Sequence, residues 1–414
     1  MSSGSVAVGY ERVRAVFEGH LEREWTVGAG FAAYVRGQRV VDLYGGLRAP
    51  GSPLAYDAET LQLTASNTKF VESLCIALLV DRGLLAWDDP IATYWPSFDS
   101  HGKGRITVRQ LMMHRAGLAA FQGKLTDREM TDSEARAAFL EGQSPEHLET
   151  EPSDWRDLAP QAYHAVSRGI YSGELLRRVD PQQRTMGRFF HEEFAIPLDL
   201  QFFIGLPESE EDRLSPLLPS PHQVAAVLRG AADRSDPRFA LFDEEIVFLR
   251  QMLTPGSLQN RAVYVLDLVD LPRREIFNHR KIRQYELPSS NGIGTAEALA
   301  RLAAFVARGG APIFGSSETL REAAACAEHY PVDEFMLTPV EFTQGGWARM
   351  ASQDRRGTVT YGWCGAGGQM VRFLDELELG CAYLTNTSGV RLAMNDPRAN
   401  ELLAATLDCA WDAN

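Results

Sequence analysis

The feature that most restricts the fold is the placement of two glycine-broken, β-rich blocks at opposite ends of a 414-residue chain. The first, GFAAYVRGQRVVDLYGG from Gly30 to Gly46, reads as two strand-forming runs around Gly37-Gln38, a hairpin. The second, TVTYGWCGAGGQMVRFLDELELGCAYLTN from Thr358 to Asn386, repeats the pattern with aromatic and branched residues between glycine-containing breaks. A chain this long exceeds the size at which one hydrophobic core usually stops growing, so a large domain carrying an inserted second one is expected. The two ends then share one sheet, and the mainly helical middle is the insertion.

Between the blocks, Phe70 to Arg82 carries Val71, Leu74, Cys75, Leu78 and Leu79 as a helical stripe, preceded by the small polar residues Ser66, Asn67 and Thr68. Ser66 therefore stands at a helix start. A further helix is expected from Tyr163 to Val179, although Gly169 and Gly173 disfavour it. The stretches GQSPEHLETEPSDW and LPESEEDRLSPLLPSP, rich in proline and acid, read as solvated surface connections and as candidate edges of a cap.

Composition excludes several functions. With 41 Lys+Arg against 55 Asp+Glu, the net charge of -14 repels nucleic-acid phosphates and the anionic face of a membrane. No window approaches the ~20 apolar residues needed to cross a bilayer, and the start MSSGSVAVGYERVR lacks an apolar run suited to secretion, so a cytoplasmic location is expected. The five cysteines show no C-x-x-C pair and read as reduced thiols. The nine histidines include no H-E-x-x-H, so neither a metal nor another cofactor is expected.

Ser66-Asn67-Thr68-Lys69 is an S-x-x-K motif: a hydroxyl in the first turn of a helix with an amine three residues later on the same face. A serine hydroxyl is a poor nucleophile until a neighbouring base takes its proton, and a helix N-terminus offers free N–H groups to a developing oxyanion. Ser100-His101-Gly102-Lys103 matches the same pattern, but it lies in a glycine-bearing stretch with no helical stripe and reads as loop. A free lysine, with a pKa near ~10.4, is protonated at neutral pH, so Lys69 must be buried or share a proton with a second base. Tyr163, in QAYHAVSRGIYSGELLRR, is a candidate for that base, although a tyrosine in such a place is more often a packing residue.

The run from Tyr361 to Gln369, YGWCGAGGQ, places glycines in a strand, which permits close backbone approach; a β-bulge or tight turn is the alternative. Cys364 has no matched histidine partner and reads as a small strand residue rather than a reactive thiol. No Gly-x-Ser-x-Gly occurs, which disfavours an α/β-hydrolase.

Taken together, VVDLYGG, SNTK, LVDRGLLAWDDPIATYWPSF, ITVRQLMMHRAGL, YHAVSRGIYSGELLRRV, LPSSNGIGTAEALARLAAF and YGWCGAGGQ resemble the class C β-lactamase, penicillin-binding protein and family VIII carboxylesterase group, most closely its esterase-like members. The resemblance implies an α/β (α+β) fold of β-lactamase/transpeptidase type. An antiparallel sheet flanked by helices would be built from residues 1–90 and 290–414, with a mostly helical domain inserted over 91–289. It implies Ser66 as nucleophile, Lys69 and Tyr163 as general base and acid, and an oxyanion hole from the N–H groups of Ser66 and Ala366. Trp363, Cys364, Gly365 and Asn291 would line the substrate site.

Two departures from the β-lactamase pattern favour an ester over a lactam. Trp363-Cys364-Gly365 stands where β-lactamases carry Lys-Thr-Gly, and Ala165 stands where their tyrosine motif has asparagine. The expected function is therefore a serine hydrolase of short-chain carboxylic esters. A β-lactamase, a D-amino-acid peptidase, an acyltransferase and a catalytically silent relative remain as alternatives. The partner would be a small ester or amide, with no nucleic acid and no membrane; homo-oligomerisation stays open.

Overall fold

The computed structural model describes residues 1–146, 160–218, 243–267, 276–326, 332–389 and 393–413. The elements that position the site are β1 (Ser2–Val6), α1 (Glu11–Glu22), β2 (Gly28–Val35), β3 (Gln38–Gly46), β4 (Leu61–Ala65), α2 (Thr68–Asp81) and α3 (Ser167–Val179). After these come β5 (Gly292–Gly294), α4 (Ala296–Ala307), β6 (Glu341–Phe342), β7 (Ala348–Ala351), β8 (Val359–Gly365), β9 (Gln369–Leu374), β10 (Leu379–Thr385) and α5 (Pro397–Asp412).

Eight strands form one sheet in the order β1-β3-β2-β10-β9-β8-β7-β6, antiparallel at every pairing. The junction between the chain ends is β2 against β10, where Phe31 faces Tyr383, so both β-rich blocks do share one sheet. The β2–β3 turn falls on Arg36-Gly37, one residue earlier than the sequence suggests, and both residues take a left-handed φ, 51° and 75°. Positive φ at both central residues is the geometry whose twist matches a two-residue hairpin.

Period-two alternation splits the sheet into two faces. Phe31, Met370, Cys381 and Tyr383 pack against Val13 and Phe17 of α1 and Leu402 and Leu407 of α5. On the opposite face Ala32, Val371, Ala382 and Leu384 join the larger core with α2 and α4. Helix α4 lies so close that a Cβ on Gly380 would come within 2.0 Å of the Ala304 nitrogen, hence the glycine there. α5 begins with Pro397 at its first turn and an Asp396 side chain that accepts from the Arg398 N–H, a standard acidic cap.

Helix α2 departs from its expected amphipathic character: every residue from Thr68 to Leu79 is buried. A helix hydrophobic on one side and buried on all sides must satisfy its polar face inside the protein. Lys69, Glu72 and Ser73 form that face. Tyr163 lies in irregular chain ahead of α3, which starts only at Ser167. At Gly169 a Cβ would meet the Ser289 nitrogen at 2.4 Å, so this glycine lets α3 lie against the segment 288–289. The described part of the second proline- and acid-rich connection, 206–218, is more structured than a loop: Leu214–Ser215 pairs in parallel with β4. Most of the acidic half of 142–155 lies outside the described residues. Among the described residues no helix is long and apolar enough to cross a membrane.

Candidate active site

β4 delivers the chain to the site through Ala65, whose left-handed φ of 48° is uncommon for a residue with a Cβ and costs ~1 kcal/mol. The turn it makes exposes its successor. From residue 61 to 79, Ser66 alone is not buried. Its Oγ accepts a hydrogen bond from the Tyr163 hydroxyl at 2.8 Å.

Lys69, one turn on, is fully buried. Its Nζ donates to the carbonyl oxygens of Ala165 (2.5 Å) and Ser289 (2.9 Å), and it stands 4.7 Å from the centroid of the Tyr163 ring. Burial pushes the amine well below its ordinary range; the Arg168 charge acts the same way, and Glu72 opposes both. A neutral amine has two N–H bonds, and the two carbonyls use both, which leaves the lone pair free. Burial pushes the Tyr163 phenol up to about 12, against hydrogen bonds to Ser66 and from the Trp363 side chain and against the Arg168 charge. The tyrosine is thus the proton donor in the Ser66 contact.

The turn joining β8 to β9 completes the site. A Cβ on Gly365 would lie 2.3 Å from the Thr64 carbonyl oxygen, which brings the neighbouring, exposed Ala366 beside the residues that carry Ser66. The close approach at Gly365 is therefore made by β4 backbone. Arg398 donates to the Gly367 carbonyl at 2.9 Å and pairs with Asp396, so a buried ion pair at the start of α5 holds this turn.

Trp363 is 3% exposed and stacks on Phe342 (5.5 Å) and Tyr163 (6.0 Å). It forms an apolar wall rather than an open surface. Cys364, next along the strand, points to the opposite face by alternation, where its Sγ accepts from Arg372 at 3.0 Å, so its thiol does not share the Trp363 wall. The Asn291 amide, expected to line the substrate site, is instead engaged by the protein's own backbone. It is fully buried, donates to the Ile282 and Tyr285 carbonyls and accepts from the Leu287 N–H.

Residues 13–405 match the Beta-lactamase family. The chain belongs to that family. Among solved structures, a family VIII carboxylesterase superposes with a TM-score of 0.81 at 26% identity, covering 99% of this chain and 100% of the other. A penicillin-binding protein homolog from Caulobacter crescentus gives 0.77 at 29% identity over 99% and 100%. The Esterase/beta-lactamase LipL of Mycobacterium tuberculosis is 30% identical over 286 residues, 68% of this chain. That stretch spans 59% of the LipL length. The chain has the β-lactamase fold, with a carboxylesterase among its structural neighbours.

Behind the site of this β-lactamase-family chain lies a network that the sequence reading did not find. Arg168 and Glu72, both fully buried, form a two-point ion pair at 3.1 Å for each contact. Glu72 also accepts from Ser172 (2.7 Å) and Ser289 (2.6 Å), while Arg168 donates to the carbonyls of Met112, Gly346 and Lys69. The available signal was Glu72, a carboxylate three residues beyond Lys69 within the apolar stripe of α2. His164 is held neutral, its pKa pushed down to about 3 chiefly by burial, with the Leu118 N–H donating to Nε2.

The second S-x-x-K pair does touch, Lys103 Nζ to Ser100 Oγ at 3.3 Å, but as a clamp. Lys103 also donates to the carbonyls of Glu141 (2.7 Å) and Gln143 (2.5 Å), and the Ser100 hydroxyl donates to Glu141 O. An ammonium there caps the C-terminal end of the helix Ser133–Glu141, the negative end of its dipole.

Proposed function

We propose that the protein hydrolyses short, neutral carboxylic esters through an acyl-enzyme on Ser66. The observation that carries this reading is the Tyr163-to-Ser66 hydrogen bond at 2.8 Å beside a buried Lys69 whose two carbonyl partners suit a neutral amine. In the first half-reaction Oγ bonds to the ester carbonyl carbon, its proton passes to the Tyr163/Lys69 pair, and the same pair returns a proton to the alcohol oxygen as the C–O bond breaks. The N–H groups of Ser66 and Ala366 receive the oxyanion. Water then attacks the acyl carbon, the carboxylic acid leaves, and Ser66 regains its proton.

Neutral substrates are favoured because Lys69 and Arg168 are fully buried and spent on internal partners, and Trp363 offers an indole wall where a substrate carboxylate would need a cation. A charge-assisted bond of that kind contributes about 1.5–3 kcal/mol. The test is hydrolysis of aryl esters of graded acyl length beside a chromogenic cephalosporin, with Ser66→Ala as control. Higher kcat/KM on the short esters supports the reading; a faster lactam reaction refutes the substrate class.

A further inference from the structure

Tyr163 has no secondary structure to hold it: residues 161–164 are irregular, yet all four are buried. A buried N–H without a ladder partner needs another acceptor. For Tyr163 that acceptor is Asp333, which lies 170 residues away in sequence and is itself fully buried.

One carboxylate oxygen of Asp333 takes three backbone N–H groups, from Tyr163 (3.1 Å), Phe335 (3.0 Å) and Met336 (2.9 Å). The other takes the Gln161 side-chain amide at 3.2 Å. The clamp closes in both directions, because the Glu334 N–H donates to Gln161 O at 2.8 Å and the Phe335 ring packs 5.3 Å from that of Tyr163. Gln259 fixes the clamp from behind, donating to the carbonyls of Glu334 and Phe335. Among the described residues no cation pairs with Asp333. Burial pushes its carboxyl up to about 6, and the surrounding donors oppose that rise.

We propose that Asp333 is the positioning residue for Tyr163: through the Tyr163 N–H it sets where the phenol hydroxyl stands relative to Ser66. This rests on the proton-transfer role of Tyr163 stated above. A misplacement of about 1 Å in a catalytic group can cost on the order of 10²-fold, so a carboxylate that never meets substrate can still govern turnover.

The test is a double-mutant cycle on kcat for a short aryl ester, using Asp333→Ala, Tyr163→Phe and the pair. Asp333→Ala is expected to lower kcat by ~10-fold or more with KM within about 3-fold, and to cost nothing further once Tyr163 is phenylalanine. Should Asp333→Ala fail to fold, Asp333→Asn enters the same cycle; it keeps one carbonyl oxygen for the three N–H groups and should lose about 3-fold. Unchanged kcat in the variant that folds, or losses that multiply in the pair, would overturn the positioning role alone. Full turnover in Tyr163→Phe by itself would overturn the proton-transfer reading and the positioning role with it.

Discussion

The Tyr163 hydroxyl donates to Ser66 Oγ at 2.8 Å, while the Lys69 amine donates to the carbonyls of Ala165 and Ser289. In the proposed mechanism Lys69, 4.7 Å from the centroid of the Tyr163 ring, acts from behind the tyrosine. Tyr163→Phe and Lys69→Ala should therefore each lower kcat by at least ~10², and the double variant should fall little further, because one proton path is broken twice. Steady-state kinetics on an aryl ester, with circular dichroism to confirm folding, checks this.

The pH–rate profile follows from the two shifts. Burial raises the Tyr163 phenol to about 12, so it stays protonated through neutral and mildly alkaline pH, and burial lowers Lys69, so its neutral form persists to lower pH than a free lysine allows. As pH falls, Lys69 gains a proton and activity is lost; as pH rises, activity should hold level through about pH 9. Measuring kcat/KM across that range is the check, and a rate that climbs toward the ordinary lysine range would show that burial does not hold the Lys69 amine low.

Glu72 and Arg168 compensate each other with neither exposed to water. Glu72→Gln leaves a buried guanidinium without its counter-charge and should destabilise the protein by ~3–5 kcal/mol, whereas replacing both partners with leucine should cost less than the single change. Urea denaturation of the three proteins measures this.

That Ser66, Lys69 and Tyr163 come together was legible because the marks were local: a hydroxyl and an amine one helical turn apart, and a tyrosine inside a recognisable motif. Glu72 and Arg168, 96 residues apart, and Asp333 with Tyr163, 170 apart, carried no such local mark. Tertiary contact decides those pairs. The helix expected from Tyr163 begins only at Ser167; ahead of it the N–H groups of Tyr163 and His164 bond Asp333 and His114, partners that no local pattern marks. The sheet was legible in its strands and in its joining of the chain ends, whereas the helical stripe of α2 concealed that its polar face is buried too.

Trp363 is packed rather than open, with the Arg168 guanidinium 5.3 Å from the indole centroid. Trp363→Lys would thus bury a second cation beside Arg168 and should destabilise the fold instead of creating a carboxylate receptor. Trp363→Phe keeps the stack on Tyr163 and Phe342 but removes the indole N–H, so it should fold normally and lose ester turnover several-fold. Thermal melts and kcat on the two variants separate these outcomes.

The central claim, acylation at Ser66, is tested most directly by peptide mass spectrometry after labelling with a fluorophosphonate. One adduct is expected on the peptide carrying Ser66, absent in Ser66→Ala and unchanged in Ser100→Ala. An adduct on the Ser100 peptide, or ester turnover that survives Ser66→Ala, would contradict it.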